Sequence, residues 1–192
     1  MNFKQFTYKP VEVQGDNVFS RDDTHKLLNY LRCIIEPYSL AIQLSFYLFI
    51  RVGETKAIRW EDIDYNNRLV YLHRQATCER TLNDDLTFSS RKVKVVNQMK
   101  GNTSHGFRKQ FLTDEALKIL HKAKELNPNG IYVFEPNGEI MTTDSFNRRL
   151  KKYCKEAGVP YHSSHKIRFY NASTAFDGNN LTTLSYLMGH SE

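Results

Sequence analysis

Residues 40–72 read LAIQLSFYLFIRVGETKAIRWEDIDYNNRLVYL. The run Leu40 to Ile50 is nearly all apolar. It is too short to cross a bilayer, which takes about 20 residues, and it reads as a helix buried on every side. It ends at Arg51-Val52-Gly53-Glu54, and a short helical turn is expected through Ile58. Asp64-Tyr65-Asn66-Asn67 is a turn signal, and Leu69-Val70-Tyr71-Leu72 favours a strand. A core helix therefore hands over directly to β-structure.

Upstream, Ser20 with Asp23 three residues on resembles a capping box, and Leu27, Leu28, Leu31, Ile34 and Ile35 share one face of the helix that follows. Pro37 is expected to stop that helix. Residues 1–18 mix aromatics with Pro10, Gly15, Asp16 and Asn17 and show no helical period, so they read as an arm or linker.

Downstream, residues 76–90 are polar and read as a loop. Val93, Val95 and Val96 suggest a second strand, and Phe107, Phe111 and Leu112 a third after the turn Lys100-Gly101-Asn102. Thr113 caps a helix carrying Ala116, Leu117, Leu120 and Ala123. Ile131 to Phe134 is a short apolar run closed by Pro136-Asn137-Gly138. A helix from about Thr143 buries Phe146, Leu150, Tyr153, Cys154 and Ala157 and stops at Gly158 and Pro160. Ser163 or Ser164 caps another, with His165 and Arg168, and a last helix holds Leu181, Leu184 and Leu187. The order is helices, strands, helices. That predicts an α+β fold, mostly helical, with a small antiparallel sheet.

The 192 residues suit one domain, at most with an arm. Hydrophobic residues make up 40% and charged ones 25%, a globular rather than a disordered balance. The net charge of +6 suits a polyanionic partner, nucleic acid or an anionic membrane. The three cysteines lie far apart with no CxxC pair, which points to a reducing, cytoplasmic setting. No secretory segment opens the chain. His162 and His165 have no acid or cysteine at metal spacing, and no phosphate-cradling glycine loop is present, so no metal or nucleotide cofactor is expected.

Several residues admit two readings each. Arg51 either satisfies a helix C-terminus or forks onto a phosphate, with Glu54 orienting it or simply solvated. Lys100 is either an exposed hairpin lysine or a mobile proton donor. His165 and Arg168, three apart, share a helix face near serines, either as cap and surface cation or as an imidazole–guanidinium pair for a phosphate transition state. His190, in Leu187-Met188-Gly189-His190, reads also as a helix cap. Arg148, Arg149, Lys151, Lys152 and Lys155 form either a solvated face or a track along a DNA backbone.

The order of these residues is more telling than any one of them. Arg51 in an R-x-G-E context, Trp60-Glu61-Asp62-Ile63-Asp64, a hairpin lysine, His165-Lys166-Ile167-Arg168 and Leu187-Met188-Gly189-His190 together resemble the catalytic domain of the tyrosine recombinases, or phage integrases. The texture is similar to integrases of conjugative transposons and related mobile elements. The resemblance runs from about Ser20 to Glu192. It implies a site-specific DNA recombinase, cytoplasmic and encoded by a bacterium or phage. Its partners would be double-stranded recombination sites on which the full-length protein assembles, as a tetramer, with no membrane involved.

By position, the resemblance assigns Arg51 and Arg168 to the scissile phosphate, Lys100 to the departing 5′ oxygen as general acid, His165 to proton transfer and His190 to a non-bridging oxygen. Glu54 supports Arg51, and Arg148, Arg149 and Lys152 would contact DNA. A tyrosine attacks phosphorus to give a 3′-phosphotyrosyl bond, with no ATP or metal. Phe169 stands where the family often has histidine. The family's tyrosine lies about nine residues beyond the last histidine, and no tyrosine follows His190 here. The resemblance thus reads residues 1–18 as a linker from a DNA-clamping domain and 19–192 as a catalytic domain truncated before its nucleophile and inactive in cleavage. Two rivals use the same residues: a DNA-binding module of this fold that never cuts, and a ribonuclease built on the two histidines and Lys100.

Overall fold

The apolar helix read from Leu40–Ile50 is the hub of the structure. In the computed structural model, which describes residues 18–90, 92–97 and 108–175, it runs from Pro37 to Tyr47 (α2) and every residue from Ser39 to Phe46 is buried. Pro37 opens α2 instead of closing the helix before it. At the first helical position the missing N–H costs nothing and the fixed φ already suits a helix. Helix α1 (Arg21–Arg32) ends earlier, at Cys33, so Ile35 is left 56% exposed rather than on a buried face. Its start is as read: Ser20 Oγ accepts from Asp23 N–H at 3.0 Å and donates to the Asp23 carboxylate at 2.8 Å.

Around α2 pack α1, α3 (Val52–Ala57), α4 (Asp114–Leu126), α5 (Thr143–Glu156) and α6 (Ser164–Ala175). Leu27 and Leu31, Ile119 and Leu120, Phe146 and Leu150, and Ile167 bring the four long partners into one core with Leu40, Ile42 and Leu44. Two polar residues of α2 are also buried here. Ser39 Oγ and Gln43 Nε2 both donate to Leu31 O, at 3.0 and 3.1 Å, and so satisfy a carbonyl at the end of α1.

The β-structure divides into two small antiparallel sheets. Strands β1 (Ile63–Asp64), β2 (Leu69–Leu72) and, in order along the chain, β5 (Arg108–Phe111) form one, with Leu69 opposite Phe111 and Leu72 opposite Arg108. Strands β3 (Gln75–Glu79) and β4 (Lys92–Val96) form the other. The stretch read as a loop over 76–90 is thus strand to Glu79 and then a hairpin arm, bridged between Leu82 and Phe88. The joint between the sheets is His73-Arg74. Buried Asp62 holds it, accepting from Arg74 Nη1 at 2.6 Å and Arg59 N–H at 2.8 Å, with His73 Nε2 3.1 Å from its carboxylate.

Strand β5 is inside out relative to its hydrophobic pattern. Arg108 and Gln110 are buried, while Phe111 is 58% exposed with the Arg68 guanidinium over its ring. A strand turns alternate side chains to opposite faces, so burying the polar pair exposes the aromatic. The reason lies in the site described below. No helix among the described residues is long and apolar enough to cross a membrane.

Lys56 is fully buried, with its ammonium donating to Thr143 Oγ1 at 2.9 Å. Burial pushes its pKa down, so the fold carries a cost for the charged form. Replacing it with an apolar side chain of similar length removes that cost. Lys56→Met should therefore stabilise the protein by about 1 kcal/mol. Chemical denaturation is the check, and a midpoint at or below wild type would contradict it.

A candidate phosphate-binding site

The site is built on the four residues that join α2 to α3. Leu48 to Arg51 form neither helix nor ladder, yet side chains from elsewhere satisfy their backbone. Leu48 O accepts from Asn171 Nδ2 at 2.8 Å. Phe49 N–H donates to Gln110 Oε1 at 2.9 Å, and Phe49 O accepts from Arg108 Nη2 at 3.1 Å. Arg51 N–H donates to Glu54 Oε2 at 2.7 Å. This explains the inverted strand: β5 turns its polar residues inward because a buried loop needs donors and acceptors.

Arg51 caps the start of α3 and does not close α2. Its side chain is 26% exposed, and Nη1 donates to Glu54 Oε1 at 3.0 Å. Glu54 is itself buried against Arg108, which forks onto both carboxylate oxygens at 2.8 and 3.1 Å. Burial pushes the Glu54 carboxyl up. The charge and hydrogen bonds of Arg108, the Arg51 N–H and the Arg51 charge outweigh it and hold the carboxyl below its ordinary value.

Helix α6 brings the other half. Ser164 is its first residue, and the Ser164 N–H donates to Asn147 Oδ1 of α5 at 2.9 Å. An N–H at the start of α6 is thus satisfied from a neighbouring helix. His165 is exposed and meets the Phe169 ring edge-on at 4.9 Å. Arg168 is 4% exposed. Burial and then the positive charge of Arg51 push its guanidinium down to about 10, with Glu54 pulling the other way. It stays cationic at neutral pH.

These halves face each other across a cleft of about 230 Å³ lined by Arg51, Gly53, Gln75, Ser164, His165 and Arg168. Gly53 lets β3 come close, since a Cβ there would lie 3.2 Å from Ala76 O. Among the described residues, two guanidiniums and an imidazole line this cleft and no acid does, a set of groups that fits a tetrahedral oxyanion. No cluster of three metal-ligating side chains occurs among the described residues.

Of the residues singled out in the sequence, Arg51, His165 and Arg168 meet at the cleft with Glu54 behind them, while Lys100 and His190 lie outside the described residues. On α5, Arg148 is exposed, Arg149 lies over the Tyr38 ring and 3.9 Å from Glu36, and Lys152 lies 3.8 Å from Glu156. Sequence reading missed Gln75, Arg108, Gln110, Asn147 and Asn171. The alternation Arg108-Lys109-Gln110-Phe111 was the available signal, and it gives no face.

The profile of the phage integrase family matches residues 17–192. A tyrosine recombinase XerC-like protein of Caldanaerobacter subterraneus subsp. tengcongensis is 27% identical over 164 residues, covering 77% of this chain and 41% of that protein. The ICEBs1 integrase of Bacillus subtilis is 23% identical over 159 residues, covering 77% of this chain and 40% of its own length. The chain thus spans about two fifths of these relatives. Among solved structures, XerA recombinase superposes with a TM-score of 0.70 at 17% identity, covering 95% of this chain and 58% of that one. A Tn1549 transposon integrase in complex with circular intermediate DNA gives 0.73 at 16% identity, covering 96% and 61%. The fold is that of the tyrosine recombinase catalytic domain.

Glu54→Gln leaves the Arg108 charge buried without its counter-ion and should destabilise the protein by about 3–5 kcal/mol. Because the folded carboxyl titrates below its ordinary value of 4.5, its contribution is complete above that pH. It is lost as pH falls through the folded value. Acid unfolding of wild type and Glu54→Gln, followed by circular dichroism, should show this step in wild type only.

Proposed function

The chain belongs to the phage integrase family, and on that premise we propose that it carries the phosphate-handling core of a site-specific DNA recombinase from a mobile element. One observation carries the reading. Arg51 and Arg168 face the same cleft, Arg51 held from behind by Glu54 and Arg168 buried in α6, with His165 beside them.

In this reading the two guanidiniums grip the non-bridging oxygens of the scissile phosphate, whose negative charge offsets their mutual repulsion. A tyrosine oxygen attacks phosphorus, the bond to the 5′ oxygen breaks, and Lys100 gives that oxygen a proton. His165 moves a proton at the site, and His190 hydrogen-bonds a non-bridging oxygen. The 3′-phosphotyrosyl bond keeps the energy of the phosphodiester, so rejoining needs neither ATP nor metal. Glu54 orients Arg51 without touching DNA.

The same reading treats residues 1–18 as a linker from a DNA-clamping domain and 19–192 as the catalytic domain, with the attacking tyrosine outside these residues. Its partners are double-stranded recombination sites on which the whole protein assembles as a tetramer, in the cytoplasm. Of the three α5 cations this reading assigns to DNA, Arg148 is exposed, while Arg149 and Lys152 lie near acids.

The test of the chemistry uses a polypeptide that carries a tyrosine downstream of His190 and a nicked suicide duplex of its recombination site. Arg168→Lys loses a bidentate contact and should lower strand cleavage by several kcal/mol in barrier, at least about a thousandfold, with the fold intact. Wild-type cleavage by this variant would remove Arg168 from the site, and binding without any cleavage by the wild type would favour a non-cutting DNA module.

Salt tests the surface. Affinity for duplex DNA should fall by roughly one log unit per log unit of salt for each phosphate neutralised. A flat response in a filter-binding titration would argue against DNA contact.

A further inference from the structure

Arg51 and Arg168 sit on different elements, so something must set their separation. Asn171 stands one helical turn after Arg168 on α6, and it is 4% exposed. Its Nδ2 donates to Ser45 O at 2.9 Å and to Leu48 O at 2.8 Å. Both carbonyls belong to the end of α2. The Phe49 N–H that would close the next turn onto Ser45 goes to Gln110 instead. Asn171 thus supplies donors that the helix end lacks. Only the NH2 end of the amide can face two carbonyl oxygens, which fixes its orientation. Its Oδ1 is buried with no hydrogen-bond partner among the described residues.

Leu48 lies three residues before Arg51, and Asn171 three after Arg168. One amide therefore joins the loop that carries the first arginine to the helix that carries the second. We propose that Asn171 is a positioning residue for the phosphate site, setting the register of Arg168 on the loop that presents Arg51. This rests on the reading of the cleft as the recombinase centre. Asn171 does not touch DNA; it acts through where Arg168 stands. An error of about 1 Å in such a placement is worth on the order of a hundredfold in rate.

Asn171→Asp keeps the shape and turns the donor into an acceptor, setting a carboxylate against two carbonyls. The measurement is single-turnover cleavage of the suicide duplex at saturating DNA, in the polypeptide with the downstream tyrosine, with the Kd for the same duplex and the unfolding midpoint measured alongside. The expected result is a rate constant about a hundredfold lower, with Kd changed less than twofold. Asn171→Ser, which retains one donor, should recover part of that rate. A merely structural role would lower the midpoint and the amplitude of cleavage while leaving the rate constant of the folded molecules unchanged, and that result overturns the proposal. Should Asn171→Asp not fold, Asn171→Ala measured below its unfolding midpoint decides by the same rate constant. A wild-type protein that cleaves no DNA overturns the recombinase reading and this proposal together. Wild-type cleavage matched by the variants overturns this proposal alone.

Discussion

The bidentate ion pair between Glu54 and Arg108 is the interaction on which the site depends. Both side chains are almost wholly buried. Taking two charges out of water is costly, and such a pair is seldom more stable than apolar side chains in its place. What it provides is position. A carboxylate with both oxygens engaged cannot rotate, and it meets the Arg51 guanidinium on one side and the Arg51 N–H on the other. Arg108 in turn reaches Phe49 O. The pair therefore fixes both the backbone and the side chain of Arg51, at the point where the chain has left α2 and not yet entered α3.

That arrangement has the character of a site organised before its ligand arrives. Arg51 lowers the Arg168 pKa, a sign that the two positive charges feel each other across the cleft. Like charges would separate if their side chains were free. They remain because Glu54 holds Arg51, while Asn147 anchors the start of α6 and Asn171 a point one turn beyond Arg168. Reorganisation is the main cost of stabilising developing charge, and here it is met by folding. The basic face of α5 lacks this quality. Its cations lie on long, exposed stems near acids and rings, suited to diffuse attraction rather than to aim.

Each departure from sequence expectation has its own physical reason. Pro37 was read as a stop because proline breaks helices, but the same residue fits a helix start, and only the chain before it decides which. Strand β3 was hidden because its alternation rests only on the small residues Ala76 and Cys78, of which only Ala76 is buried, while its ladder partner is β4. Strand β5 was turned over because its hydrophobic residue is not its buried one. For the two strands, contacts distant in sequence outweighed the local signal.

What the sequence by itself determined is whatever short-range physics dictates: the buried α2, the capped starts of α1 and α4, the amphipathic α5, and the residue order that marks the family. Arg51, Glu54, His165 and Arg168 were legible only through that order, because each of them taken alone admits a second reading. Only the tertiary structure decided that Arg108, Gln110, Asn147 and Asn171 hold them. These four satisfy backbone groups of a loop and of helix ends far away in the chain. A polar side chain carries no periodicity that says whether it faces water or a buried carbonyl. That choice is made by desolvation once the core closes, when every buried donor and acceptor must find a partner.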